Sequence, residues 1–536
     1  MRRLLVVLMA CVFDNTVPAA QPAADAVVLA WTHARTLPPE QALTTRYVWI
    51  SDATSEDRRR TWAAVAGLVN ALSLSQRVVS PKLVLVSGDE SGLLDNKSLK
   101  VEVKTFQEMV AVGKRDDWSK LVLMVVDLRD YRQSAEQWDR LDDPNLEPVF
   151  HVRTVVDGER VKALAPWLIA PLGIPQDQPA RMYHEAKYLQ ALVELVQMTG
   201  AKAPIVEGRN FVWQTAIDFD RKAGYYSWLR VKDQATFDRL VRRQKDSPVL
   251  RDAVSDSGVA KEPRFVEREG RGDGYWRTLD QVNQRAQGRR NPLNIQNVDP
   301  KVFEFDAQEV FGRLDNDFWA TGLFDNKGVL QQSAPDGVGY NHKGVTNDGK
   351  IHVNLTCLGC HDSKAGNGGL MPFSPYFRNK YAVPGPLALG AVEAKVLKRF
   401  DEELLAPIDP RGNLDRLAYA AAVAQANGLT PDKYARALVD TFNAWDNGRN
   451  AEDVAREHGL KAEEMVKALQ GTLLKFGTLD SVNDTWVQPK ERQQRIGVAA
   501  FTESYNQLEL AVRGIPAWPA DVRKAVQYPV QKVVKP

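Results

Sequence analysis

Two thiols and an imidazole stand together in Thr356-Cys357-Leu358-Gly359-Cys360-His361. The chain holds three cysteines and seven histidines in 536 residues, so composition alone would rarely bring them into one run. C-x-x-C-H reads as a c-type haem attachment site. The spacing has a chemical reason. Thiols three positions apart on a helical turn face the same side and can form thioethers with the two vinyl groups of one haem. The adjacent imidazole of His361 is then carried under the iron as proximal ligand. A structural zinc site would need four closed N/S ligands, and no second cysteine pair completes one. A thioredoxin-like pair opens a helix after a strand inside a compact βαβ unit. Cys357 instead follows Lys350-Ile351-His352-Val353-Asn354-Leu355 and leads into glycine-rich sequence.

For the second axial ligand the nearest candidate is Met371, in Gly366-Asn367-Gly368-Gly369-Leu370-Met371-Pro372-Phe373. The intervening chain can span at most about 33 to 36 Å, enough to round a haem edge. A thioether there would raise the reduction potential. The competing reading is an apolar loop packed on the porphyrin. His342, His352, His184, His458 and Met465 are further candidates, each read first as a surface or packing residue. An empty or water-filled axial position would permit peroxide or oxygen chemistry.

The rest of the chain must position this motif. With 44% hydrophobic and 26% charged residues it can bury a large core, and its length suggests two to four folding units. A mean hydropathy of −0.35 excludes a multi-span membrane protein. Lys+Arg 70 against Asp+Glu 68 leaves no charge excess for nucleic-acid binding. Three cysteines are too few for a disulfide scaffold.

The first residues read as an export signal. Met1-Arg2-Arg3 precedes the apolar Leu4-Leu5-Val6-Val7-Leu8-Met9-Ala10, too short to span a bilayer, and small residues follow in Val17-Pro18-Ala19-Ala20. Leu8-Met9-Ala10-Cys11 also resembles a bacterial lipobox, which would make Cys11 a lipid anchor and the one route to a membrane. Residues 1–25 are thus a signal peptide or lipoprotein signal, and the expected location is periplasmic or extracytoplasmic.

The expected fold class is α+β. Residues 26–150 read as a mixed α/β unit. Tyr47-Val48-Trp49-Ile50 is a strand, Thr54-Ser55-Glu56-Asp57 caps a helix through about Leu72, and 82–86 and 120–126 are apolar β runs. No phosphate-binding glycine motif accompanies them. Asp127-Leu128-Arg129-Asp130-Tyr131 reads as a salt-bridged strand end. Residues 151–300 are less periodic, with short helices near 179–199 and 234–243. A basic stretch then runs through Arg264, Arg268, Arg271, Arg277, Arg289 and Arg290, fit for haem propionates or an acidic partner, or simply a solvated loop. Tyr275 and Trp276 read as core. In the haem c region, 301–385, a β-hairpin is expected to turn at Asp325-Asn326-Lys327-Gly328. Residues 386–536 are largely helical: 387–405, 414–427, a helix opened by Thr430-Pro431, one capped by Asn450, and 461–476.

Cys357-Leu358-Gly359-Cys360-His361 behind an export signal resembles the bacterial c-type cytochromes, and the chain length points to their large single-haem members. The resemblance is confined to the haem region. It implies one covalent haem c held by Cys357, Cys360 and His361, electron transfer outside the cytoplasm, and a redox partner protein. The distal methionine of small soluble cytochromes c lies much further beyond the motif than Met371 does. Di-haem peroxidases and rubber-cleaving oxygenases are similar in size and export but carry two such motifs. The leading expectation is an exported electron carrier. The alternative is a haem peroxidase or oxygenase with an open iron site, and a third is a periplasmic binding protein whose haem staples the fold.

Overall fold

The structure is a computed structural model. It describes residues 23–50, 54–87, 100–105, 108, 123–141, 191, 194–201, 204–218, 223–243, 249–254, 264–269, 275–281, 304–338, 345–361, 413–448, 450–452, 455, 462–463, 466–467, 486 and 495–496. Helices combine with one mixed and one antiparallel sheet, an α+β fold.

The first sheet has the order β3-β2-β4-β1-β5, from β1 (Thr45–Trp49), β2 (Lys82–Ser87), β3 (Lys100–Thr105), β4 (Leu123–Asp127) and β5 (Ile205–Glu207). Its pairs are antiparallel except β1 with β5. Successive strand side chains point to opposite faces, and the central strands are covered on both, which is why Tyr47–Trp49 and Leu123–Val126 are apolar throughout. Tyr47, Trp49, Leu123 and Val125 pack on α1 (Ala23–Ala34). Val48, Met124 and Val126 pack instead toward α3 (Ser55–Ala71) and α5 (Gly208–Thr215). Thr54 caps α3 as its sequence suggests, accepting from the Asp57 N–H at 3.0 Å. Asp127 ends β4 paired with Arg129 at 2.8 Å, the expected salt-bridged strand end. Three short helices, α2 (Pro39–Ala42), α4 (Ala135–Trp138) and α6 (Tyr225–Trp228), fill the connections.

The second sheet, β10-β9-β8-β7-β6, is an antiparallel meander of β6 (Val249–Val254), β7 (Arg264–Glu269), β8 (Tyr275–Asp280), β9 (Ala307–Arg313) and β10 (Trp319–Asp325). Here the expectation of an irregular basic loop is corrected for the stretch around Arg264 and Arg277: it forms two strands, with Tyr275 and Trp276 buried. Its charged residues gave no strand signal because they pair with one another, Arg277 with Glu267 and Arg264 with Asp280. The expected hairpin also shifts. β9 and β10 are joined through 314–318, with Asp317 at a φ of 67°, whereas Asp325–Gly328 turns the chain into a smaller β-bridge between Phe324 and Leu330. Gly328, at a φ of 79°, suits that turn and drew attention from the longer one. Helix α7 (Gln234–Leu240), shorter than the expected 234–243, carries a capping box from Asp233.

Helices α9 (Asn413–Asn427) and α10 (Pro431–Asp446) follow the expected 414–427 and the Thr430-Pro431 start. One buried cluster joins both sheets to α3, α5, α9 and α10, so the core runs across the expected segment boundaries. Residues 451, 452, 455, 462, 463, 466 and 467 are helical; the remainder of the last two expected helices, the 387–405 segment and most of 179–199 lie outside the described residues. No helix among the described residues is long and apolar enough to cross a membrane.

The crossing of α3 and α10 depends on Gly67, where a Cβ would collide with the buried Tyr434 ring. Gly67→Ala is therefore expected to destabilise by about 1–3 kcal/mol through overpacking, overriding a helix-propensity gain of at most about 1 kcal/mol. Thermal unfolding checks this. A melting temperature at or above the parent's would show that α10 yields freely, and Tyr434→Leu in the same chain should recover part of the loss.

Candidate functional site

The thiols and imidazole lie on α8 (Leu355–His361), a seven-residue helix too short to hold itself in place. Its entry is fixed by Asn354, fully buried at a φ of 62°, a left-handed conformation that asparagine tolerates better than most residues. Asn354 donates from its backbone N–H to Thr321 Oγ1 at 2.8 Å, linking α8 to β10. Its Nδ2 donates to the Ala216 carbonyl at the end of α5, also at 2.8 Å, and its own carbonyl accepts the Leu358 N–H. Thr356 Oγ1 accepts the His352 N–H at 3.1 Å, which closes the turn leading in. Behind the helix, Gly359 allows close approach: a Cβ there would stand 3.0 Å from Val345 and 3.4 Å from Val439 on α10.

In front of α8 lies one face of the second sheet. Ala307, Glu309 and Phe311 alternate along β9, and in register beside them stand Trp276, Thr278 and Asp280 of β8 and Thr321 and Leu323 of β10. The Phe311 ring meets His361 edge-on, with centroids 4.7 Å apart. Glu309 lines the same pocket as Cys357, whose thiol donates to the His352 carbonyl at 3.9 Å. Between helix and sheet lies a cleft with a cavity volume of about 40 Å³, open to solvent on one side. Cys357, Cys360 and His361 all line it, with apolar wall from Ala307, Leu323, Phe324, Val338 and Ile351. The motif's three chemical groups therefore share one cavity.

The floor of the cleft is charged. Arg264 Nε stands 2.7 Å from Asp280 Oδ1, and its guanidinium is 3.9 Å from Glu309 Oε2. Burial raises the Asp280 and Glu309 carboxyls above their ordinary range, and the Arg264 charge holds them back. Cys357 is only 2% exposed; burial above all, then Glu309 and Cys360, pushes its thiol well up, while Thr321 opposes. Arg264 was expected at haem propionates, an acidic partner or a solvated loop. It is instead a buried strand residue, 5% exposed and flanked by two carboxyls of its own sheet, which corrects the solvated-loop reading. Arg268, Arg271, Arg289 and Arg290 have no described side chains.

Two thiols a turn apart, an imidazole at the helix end and an apolar wall suit a flat porphyrin anchored through sulfur and ligated through nitrogen. Among the described residues, no group of three or more His, Cys, Asp or Glu is arranged to hold a bare metal ion. Of the distal candidates, His352 is a packing residue: it is buried away from the cleft with Nε2 on Asp348 at 2.7 Å. Met371, His184, His342, His458 and Met465 lie outside the described residues, as does Cys11. Sequence reasoning missed Asn354, Thr321, Phe311 and Glu309. Asn354 had a signal, an Asn directly before a helix. Glu309 had none, since both its strand neighbours are also buried and no alternation marks the face it lies on.

No family model, curated protein or solved structure matches the chain.

Proposed function

We propose that this protein is a mono-haem c-type cytochrome that transfers electrons outside the cytoplasm. Cys357 and Cys360 are its covalent anchors, His361 its proximal ligand and Met371 its distal ligand. The observation that supports this reading is that both thiols and the imidazole line one cleft between α8 and the second sheet. Bound haem would supply an iron that takes up and returns an electron, at a potential set by its ligands and by burial. The chain's own contributions are mechanical and electrostatic. Phe311 abuts the His361 ring, Asn354 and Gly359 fix the helix that carries it, and Leu323, Phe324 and Ile351 keep water from the inner wall. An unidentified redox protein would be the partner, and the signal-like start would give export, with Cys11 as a lipid anchor in the lipoprotein form.

The open side of the cleft favours a second reading, a haem peroxidase or oxygenase with an open iron position. One preparation tests both. Protein produced alongside a haem-ligation system should show a Soret band and one added haem mass on the peptide spanning Cys357 to Cys360. A colourless product without that mass would end the haem reading. A low-spin spectrum unchanged by cyanide supports the carrier; a high-spin ferric spectrum that shifts with cyanide or peroxide supports the enzyme.

A further inference from the structure

The cleft that unites the motif is smaller than the group proposed to occupy it. Its volume of about 40 Å³ holds roughly three waters, at about 10–15 Å³ each. Sites for drug-sized ligands run to about 300–1,000 Å³. Nor can a macrocycle lie between the imidazole and the sheet. A plate held between two rings needs about 7 Å, twice the carbon contact distance, and the Phe311 and His361 centroids are 4.7 Å apart. Porphyrin therefore enters only if a wall of the cleft moves.

Among the described residues the walls are the second sheet, α8 and residues 329–338, which contribute Gln331, Ala334, Pro335 and Val338. The sheet is held by the ladders of β9 with β8 and β10. Helix α8 is held by Asn354 at its start and by Val345 and Val439 behind Gly359. Residues 329–338 join no ladder of that length. The Gln331 N–H donates to the Leu323 carbonyl at 2.9 Å, the Ala334 N–H to the Ile351 carbonyl at 2.8 Å, and the Val353 N–H to the Gln332 carbonyl at 3.2 Å. The Tyr226 hydroxyl donates to the Gln331 carbonyl at 3.1 Å, and the Asp325 N–H to that of Val329. Val329, Gln332 and Asp336 are exposed. Gly328, at a φ of 79°, precedes the segment and Gly337, at a φ of 96°, lies near its end, so each end has a residue that can absorb a large backbone rotation. We propose that residues 329–338 are a strap that closes the haem cleft and lifts off α8 and the sheet to admit the porphyrin, pivoting at Gly328 and Gly337. The identity of the occupant rests on the function proposed above; the closure rests on the cavity volume and on how the strap is tied.

The test follows backbone amide exchange by peptide mass mapping in the full chain, produced without haem-ligation machinery and kept reduced. Peptides covering 329–338 should exchange together and about tenfold or more faster than those covering α8, β9 and β10, because lifting the strap exposes its amides and leaves the other walls folded. Gly337→Ala strains the closed strap and should speed its exchange about five- to thirtyfold, the factor that a left-handed alanine costs, with α8 and β10 unchanged. Gly428→Ala puts the same strain between α9 and α10, at a φ of 72°, and should leave the ratio of strap to α8 exchange as in the parent. Should Gly337→Ala fail to fold, Gly337→Asn, which tolerates that conformation better, should give a smaller increase in the same peptides. A strap that exchanges no faster than α8 would overturn the proposal. Ferric haem added to the same chain then reads the gate. Soret absorbance should grow at a rate that levels off as haem concentration rises and opening becomes limiting, with a higher plateau in Gly337→Ala. A plateau that Gly337→Ala leaves unchanged would overturn the gating role. Fast strap exchange with no Soret band in either chain would instead end the functional proposal and leave the strap standing.

Discussion

Replacing Arg264 with methionine is expected to cost about 3–5 kcal/mol, because it leaves Asp280 and Glu309 buried beside each other without their shared positive charge. Arg264 and Asp280 are both almost fully buried, and the Glu309 side chain is 14% exposed, so solvent can do little to replace the guanidinium. The pH dependence follows from the direction of the shifts. Both carboxyls lie above their ordinary range in the folded chain. A carboxyl raised on folding contributes stability that is present below its unfolded pKa and is lost as pH rises through its folded pKa. Without Arg264 both folded values climb further, so the loss should be largest near neutrality and should shrink in acid, where the carboxyls fold as neutral acids. Urea midpoints of parent and Arg264→Met at about pH 7 and about pH 5 would show the gap narrowing. A gap equal at both pH values would mean that the arginine acts by packing alone.

A comparable loss is expected from Asn354→Val. A β-branched residue at a φ of 62° pays about 1–2 kcal/mol for the left-handed conformation. The Ala216 carbonyl, left without its donor in the core, adds about 1–3 kcal/mol. Asn354→Gly separates the two, since glycine accepts the conformation and loses only the hydrogen bond. Thermal stability should therefore fall in the order parent, Asn354→Gly, Asn354→Val. Haem content after maturation should fall in the same order, because Asn354 sets where α8 begins and so where both thiols face. Full haem incorporation in a destabilised Asn354→Val would show that the entry to α8 does not position the motif.

Much of the first sheet was legible because its information is local. Alternating or continuous apolar runs mark β1, β2 and β4, and Thr54 with acids behind it marks the start of α3. The second sheet was half hidden. Strands β7 and β8 are rich in arginine and glutamate, residues that report solvent when read singly, and only their pairing across the sheet allows them to be buried. The hairpin turn was misplaced for a related reason. The glycine in Asp325–Gly328 is the stronger turn signal, whereas the true β9–β10 connection turns through Asp315-Asn316-Asp317, turn-prone residues without a glycine.

By itself the sequence determined the reactive groups, two thiols and an imidazole whose spacing along a helical turn is a covalent property of the chain. It also determined the elements whose periodicity is local. The tertiary structure alone decided that these groups open onto a cavity, that Glu309, forty-eight residues earlier, lines that cavity with the first thiol, and that Arg264 is spent on two acids. Those contacts join residues far apart in the chain. They exist because two sheets and α10 bury one common core, and no short stretch of sequence records which distant side chain that burial brings to a given atom.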